Sequence, residues 1–218
     1  MALPLWLAYE VLAFSLNDGF DGKRRTGVDF LQNVVLAKLG VPLAFGVAIP
    51  LLLALTFFLR KQHRQEVAGN RGVFWPLMFV ESFIYAAVSG MIIGGLSGLF
   101  MNAAAGQVVQ RRVEALIINL GSGVYEEFVF RLVVLSGLIG LLRKGCSREW
   151  LVLTVGIITS SVLFSGFHYL GVFGEPFGWD SFVFRFMAGV VFSGVYLLRG
   201  YGIGVYSHTF YNIFLLFR

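Results

Sequence analysis

Long apolar segments alternate with short polar ones along the chain, and this alternation predicts a bundle of membrane helices. The apolar segments are residues 3–16, 34–59, 73–101, 113–142, 150–170, 181–198 and 203–217. A helix needs about 20 apolar residues to cross a bilayer, so most of these can span it, while residues 3–16 would tilt or lie in the interface. The pattern predicts an all-α polytopic membrane protein with about seven transmembrane helices, the range being six to eight, in one integral-membrane domain over residues 1–218.

Local features of these segments give further expectations. Asp180 precedes the sixth segment, where a short polar side chain predicts a helix N-cap. Glu81 lies inside the third segment, and we expect an arginine such as Arg185 to neutralise it. Glycines recur every four residues in the same segment, at Gly90, Gly94 and Gly98. This spacing predicts close packing between helices of one chain, with a homodimer interface as the alternative.

The composition supports a membrane protein and excludes a soluble domain. Hydrophobic residues make up 57% of the chain and charged residues only 13%, whereas a soluble domain carries about 25% charged residues. The net charge of +5 comes from basic residues between the apolar segments, as in membrane loops, so it indicates no nucleic-acid partner. No basic signal-peptide start or targeting extension precedes the first segment, and we therefore expect a multi-pass protein of a prokaryotic plasma membrane.

Three charged residues lie near the centre of the segment 113–142. Glu126, Glu127 and Arg131 would each cost about 2.5–3.5 kcal/mol at the bilayer centre before pairing, so they predict a polar site inside the membrane. Glu127 and Arg131 are four residues apart with the acid first, which favours an ion pair on a helix. Glu126 is about 100° further around that helix and is predicted to face a wet cavity as a general base. A buried ion-pair network that only fixes helix packing is the alternative.

Polar side chains in two later segments could complete such a site. His168 ends the fifth segment four residues after Phe164, so both share one helix face, although an interfacial histidine would look the same. His208 and Asn212 are also four residues apart, and in lipid they must face the bundle to find hydrogen-bond partners. They would either join helices or donate to a developing oxyanion.

Together these residues could activate a water and stabilise a tetrahedral intermediate. A glutamate and two histidines could also hold zinc, but the sequence contains no HExxH motif and no close pair of histidines, so no metal or other cofactor is expected. Ser165 and Cys146 are weaker candidates for a nucleophile. The sequence places no aligned acid–base partner beside either of them.

Three short motifs follow one another on these segments. They are EExxxR at residues 126–131, FxxxH at residues 164–168 and HxxxN at residues 208–212. In this order they resemble the CAAX protease and bacteriocin-processing family, also called the Abi family. Residues 185–200 also resemble the penultimate helix of that family. The resemblance covers residues 113–217, which would form the catalytic helix core.

This resemblance implies a glutamate-dependent intramembrane endopeptidase related to the Ras-converting prenyl-protein endopeptidases. Glu126 would be the general base and would act with His168 on the attacking water. His208 and Asn212 would bind the oxyanion. The residues implied to support this site are Glu127, Arg131 and Phe164.

The expected function is hydrolysis of a peptide bond near the terminus of a membrane-associated protein or peptide, including lipidated or anchored substrates. The alternative is a non-catalytic bacteriocin-immunity or peptide-binding membrane protein on the same scaffold. A proton-coupled carrier is a third candidate, because Glu10 and Glu81 could join a proton relay. The two halves of the sequence show no inverted repeat, which argues against a carrier.

Overall fold

The computed structural model describes residues 2–17, 71–98, 112–170 and 174–216, and within these ranges the chain forms six continuous helices. The elements are α1 (Leu3–Asn17), α2 (Arg71–Gly98), α3 (Arg112–Glu126), a π-helix (Glu127–Leu135), α4 (Ser136–Leu142), α5 (Glu149–Phe167), α6 (Trp179–Arg199) and α7 (Tyr201–Leu216). The predicted all-α class is confirmed. The predicted number of seven membrane helices stays a prediction, because the segment 34–59 lies outside the described residues.

Three of the helices are long and apolar enough to cross a membrane. They are Trp75–Gly95, Glu149–Phe167 and Trp179–Arg199, and Leu3–Ala13 is a shorter apolar helix. Large apolar side chains such as Leu77, Met91 and Leu198 are exposed on the outside of the bundle. Outward-facing apolar side chains of this kind suit a lipid environment. Length and composition thus mark the chain as a multi-pass integral membrane protein.

The segment that carries the paired glutamates is one continuous rod from Arg112 to Leu142, but it changes its winding in the middle. The backbone is α-helical up to Glu126 and π-helical from Glu127 to Leu135. At the end of the wide turns the amide of Ser136 donates to the carbonyl of Arg131, five residues earlier. Wide turns of this type are rare and are frequently found at functional sites. The change of winding falls between the two glutamates.

This rod lies at the centre of the bundle. Its α3 part packs between α1 and α7, while the π-helix and α4 pack against α5. Two buried glycines allow the close approach: a Cβ on Gly121 would lie 2.3 Å from the Tyr9 ring of α1, and one on Gly123 would lie 2.1 Å from Thr209 Oγ1 of α7. Neither position has space for a side chain. The glycines therefore set the distance between α3 and both of its neighbours.

Gly90, the first glycine of the α2 repeat, has a looser environment than the spacing predicts. A Cβ on Gly90 would meet only the Tyr211 ring, at 4.0 Å, which is an ordinary contact. Gly90 and Gly94 instead line an apolar groove of about 380 Å³ between α2, α6 and α7. Among the described residues, glycines with closer contacts include Gly121, Gly123, Gly174 and Gly189.

Two expectations about charged residues are wrong in detail. Asp180 is not the N-cap of α6; Gly178 occupies that position, and Asp180 lies in the first turn. A carboxylate there still complements the positive end of the helix dipole. Glu81 does pair with an arginine, but with Arg199 rather than with Arg185. Arg185 forms its ion pair with Glu175, at 2.6 Å.

Replacing Gly123 by alanine is expected to lower the free energy of unfolding by about 1–3 kcal/mol, because the new methyl group would overlap Thr209. Gly137→Ala is the matched control, since nothing lies within 4 Å of a Cβ at that position. There alanine should be neutral or stabilising by about 0.5–1 kcal/mol. Thermal unfolding of the purified proteins in detergent measures both effects. A Gly123→Ala midpoint equal to the wild-type value would contradict the close contact.

Candidate active site

A fully buried carboxylate forms the centre of the site. Glu127 opens the π-helix, and its side chain is 0% exposed, as is that of Arg131 one turn later. Arg131 Nε lies 3.3 Å from Glu127 Oε1. The N–H does not point at that oxygen, so the contact is a close ion pair rather than an aligned hydrogen bond. The ion pair predicted from the four-residue spacing is present.

A histidine of α7 contacts the same carboxylate oxygen. His208 is buried, and its Nδ1 lies 2.8 Å from Glu127 Oε1. A carboxylate can only accept, so Nδ1 carries the proton and donates it. The Phe192 ring of α6 stacks on a face of this imidazole, with centroids 4.6 Å apart and an interplanar angle of 16°. Both the tautomer and the plane of His208 are thus determined by its surroundings.

Glu126 occupies a different environment from its neighbour. It is 8% exposed, whereas Glu127 is fully enclosed. The hydroxyl of Ser122, one turn earlier on α3, donates to Glu126 Oε1. The second oxygen, Oε2, lies 3.8 Å from His208 Nε2. Glu126 is therefore the carboxylate that keeps some access from outside the packed core.

His168 joins this cluster through Phe164. The Phe164 ring lies edge-on to His168, with centroids 5.1 Å apart, and edge-on to His208, with centroids 6.1 Å apart. The guanidinium of Arg131 lies over the same ring, 4.4 Å from its centroid. Such a cation–π contact is favourable where water is excluded. Phe164 therefore touches three of the polar residues that the motifs single out.

The ring orientation of His168 follows from its own helix. His168 Nδ1 lies 2.9 Å from the carbonyl oxygen of Phe164. A carbonyl only accepts hydrogen bonds, so Nδ1 is the donor, and in the neutral ring Nε2 keeps its lone pair. His168 is half-buried at the end of α5. The Nε2 atom at this position can accept a hydrogen bond from water.

Asn212 has the weakest connection to the cluster. It lies one turn after His208 on α7 and is half-buried. Its backbone carbonyl accepts a hydrogen bond from Asn119 Nδ2 at 3.5 Å. Within the described part of the chain, no hydrogen bond joins its side-chain amide to the two glutamates. The structure thus brings Glu126, Glu127, Arg131, Phe164, His168 and His208 together by direct contacts and places Asn212 beside them.

Two residues that support the site were not predicted from the sequence. Ser122 lies four residues before Glu126, a spacing that could have indicated their hydrogen bond. Phe192 gives no comparable signal, because the chain contains 23 phenylalanines and nothing in the local sequence distinguishes this one.

The donor set does not fit a metal centre. Over the described ranges, no group of three His, Cys, Asp or Glu side chains is arranged to hold a metal ion. His208, the ligand type that zinc prefers, directs Nδ1 at Glu127 and Nε2 towards Glu126. Both ring nitrogens of His208 thus face a carboxylate of the cluster, at 2.8 Å for Nδ1 and 3.8 Å for Nε2.

A comparison with protein families matches the part of the chain that carries the three motifs. Residues 108–214, about half of the chain, match the family described as type II CAAX prenyl endopeptidase Rce1-like. The C-terminal half of the chain belongs to this family. The resemblance drawn from the three motifs is therefore confirmed, and all three lie inside the matched residues. No curated protein and no solved structure matches the chain significantly. Membership of the Rce1-like family implies a membrane endopeptidase that acts on a protein substrate.

Removing the cation of the buried pair should be strongly destabilising. Arg131→Met would leave the Glu127 carboxylate enclosed without its cation, and such a change typically costs about 3–5 kcal/mol. Arg143→Met is the control, because Arg143 and Glu149 form an exposed pair outside the core and its loss should change the stability little. Chemical unfolding of both variants in detergent compares the two. Equal stability of the two variants would contradict the central role of the Glu127 carboxylate.

Proposed function

We propose that the chain is an intramembrane endopeptidase that hydrolyses a peptide bond near the terminus of a membrane-associated protein or peptide. The observation that carries this proposal is the cluster of two glutamates and His208 at the centre of the bundle, inside the Rce1-like domain. Buried ionisable groups in a membrane protein are costly and mark functional sites. Lipidated tails and membrane-anchored peptides are substrates that can reach such a site from the bilayer.

The attacking water would be activated by Glu126. Its Oε2 accepts a proton from the water while the water oxygen attacks the carbonyl carbon of the substrate. His168 contacts the Phe164 ring, which also contacts His208. Its Nε2 offers a second acceptor that holds the water in place. Ser122 holds the other oxygen of Glu126, so the carboxylate presents Oε2 to the water.

The oxyanion that forms would be stabilised by His208 and Asn212. His208 already donates from Nδ1 to Glu127, so it can donate from Nε2 only when the ring is protonated. Asn212 is one turn away on the same helix and can supply a second donor. A single donor of this kind is worth about 2.7–4 kcal/mol of transition-state stabilisation.

In the last step Glu126 would transfer its proton to the leaving group. When the tetrahedral intermediate collapses, the carbon–nitrogen bond breaks and Glu126 gives its proton to the leaving amine. The products are a free amine and a carboxylic acid, which then loses its proton to the amine or to water, and Glu126 is again ionised. Glu127 and Arg131 take no part in the proton transfer and hold His208 and the helices in position.

Glu126→Gln is expected to lower the turnover number by at least about 10²-fold, because an amide cannot accept the proton of the attacking water. His168→Ala should lower the turnover number to a similar extent, because it removes the Nε2 atom that holds the water in place. The assay follows cleavage of a fluorogenic prenylated peptide with a CAAX sequence by the purified protein in detergent.

Glu149→Gln is the matched control for this assay. It makes the same chemical change at an exposed position that pairs with Arg143, and it should leave turnover unchanged. Wild-type turnover of Glu126→Gln would exclude the mechanism. If the wild-type protein binds the peptide but does not cleave it, a non-catalytic peptide-binding role is supported instead.

A further inference from the structure

The first helix brings a buried carboxylate of its own into the bundle. α1 lies outside the residues that match the Rce1-like family. Glu10, in the middle of this apolar helix, is only 8% exposed. A carboxylate at such a position is costly in a membrane unless a polar partner satisfies it.

Glu10 contacts the residue that directly precedes the proposed general base. The hydroxyl of Tyr125 donates to Glu10 Oε1 at 2.5 Å, and Trp6 Nε1 donates to the same hydroxyl oxygen at 3.0 Å. All three side chains are buried. We call the hydrogen bond between Glu10 and Tyr125 the α1 clasp. It joins α1 to α3 at the last residue before Glu126.

The packing around the α1 clasp leaves α3 little freedom. The Tyr9 ring meets the Tyr125 ring edge-on, with centroids 5.7 Å apart, and it fills the space beside Gly121 where a side chain would be. From the opposite side the hydroxyl of Tyr201 donates to the carbonyl of Val124 at 3.1 Å. The backbone at residues 124 and 125 is therefore held by α1 and by α7.

The position of this anchor is significant for catalysis. The rod changes from α to π winding immediately after Glu126, so the orientation of Glu126 depends on how α3 is held at its end. A misplacement of a catalytic group by about 1 Å can lower a rate by about 10²-fold. A hydrogen bond on the neighbouring residue can thus affect the reaction without touching the substrate.

We propose that Glu10 is a positioning residue, which through the α1 clasp fixes the rotation of α3 and hence the place of the Glu126 carboxylate. The inference rests on the proposed function of Glu126. It assigns a role in the reaction to the N-terminal helix, outside the Rce1-like domain.

Three variants separate the hydrogen bond from the charge. Glu10→Leu and Tyr125→Phe each remove the clasp and should lower kcat about tenfold, with KM changed less than about twofold. Glu10→Gln keeps an oxygen that accepts the hydrogen bond of Tyr125, so it should stay within about threefold of wild-type kcat. The double variant Glu10→Leu with Tyr125→Phe should lose less kcat than the product of the two single losses, because both changes break the shared bond.

Glu81→Leu is the matched control. It replaces a half-buried glutamate of a membrane helix by the same residue as in Glu10→Leu. The bond that it breaks is the ion pair of Glu81 on α2 with Arg199 on α6. Its kcat should remain at the wild-type value after correction for the folded fraction, which size-exclusion profiles and thermal midpoints provide. An equal loss of kcat in Glu81→Leu would show a general effect of removing a glutamate and would overturn the proposal.

A second readout does not depend on hydrolysis. Dicyclohexylcarbodiimide modifies carboxyl groups within membranes, and mass spectrometry can follow the modification of the Glu126 peptide in each variant. The rate at which Glu126 is modified should change in Glu10→Leu and Tyr125→Phe. It should remain at the wild-type value in Glu10→Gln and Glu81→Leu. A wild-type protein that cleaves nothing but shows this pattern would refute the peptidase and keep the α1 clasp. Wild-type kcat and labelling in Glu10→Leu, or a Glu10→Gln variant as impaired as Glu10→Leu, would refute the clasp and keep the peptidase.

Discussion

The rest of the site depends on the enclosure of the Glu127 carboxylate. An ionised carboxylate without water is stable only if charges and donors surround it, and here Arg131 and His208 both meet Oε1. The first partner comes from the same helix and the second from α7. The need to neutralise this group therefore fixes the relative position of two helices and the tautomer of His208, while stacking on Phe192 sets its ring plane. An apolar core could hold the same helices together without specifying any of these orientations.

The change of winding explains how two adjacent glutamates can have different roles. On a regular α-helix they would differ only by about 100° in direction. Here Glu126 ends the α-helix and Glu127 begins the π-helix, and the first keeps some exposure while the second has none. The enclosed member acts on His208, and the accessible member is the one that can meet a water. In the proposed mechanism, environment rather than residue type separates the roles of the two carboxylates.

The parts of the site that follow local periodicity could be predicted from the sequence. The four-residue spacing of Glu127 and Arg131 predicted their contact, and the order of the motifs predicted the family. Contacts between helices distant in sequence could not be predicted in this way. Nothing local shows that Phe192 would stack on His208, that Glu81 would meet Arg199, or that the helix would widen after Glu126. These features depend on which helix faces are brought together, and the N-cap of α6 likewise depends on the path of the preceding loop.

The close glycine contacts connect the fold to the site. Because Gly121 and Gly123 are two residues apart, they face different neighbours, and the bare backbone of α3 touches Tyr9 on one side and Thr209 on the other. Small residues at such contacts let helices in lipid gain packing energy where the hydrophobic effect between helices is absent. The same two contacts hold the turn that ends at Glu126. The support of the proposed general base Glu126 thus comes from these close glycine contacts as well as from hydrogen bonds, and part of it comes from α1, outside the family domain.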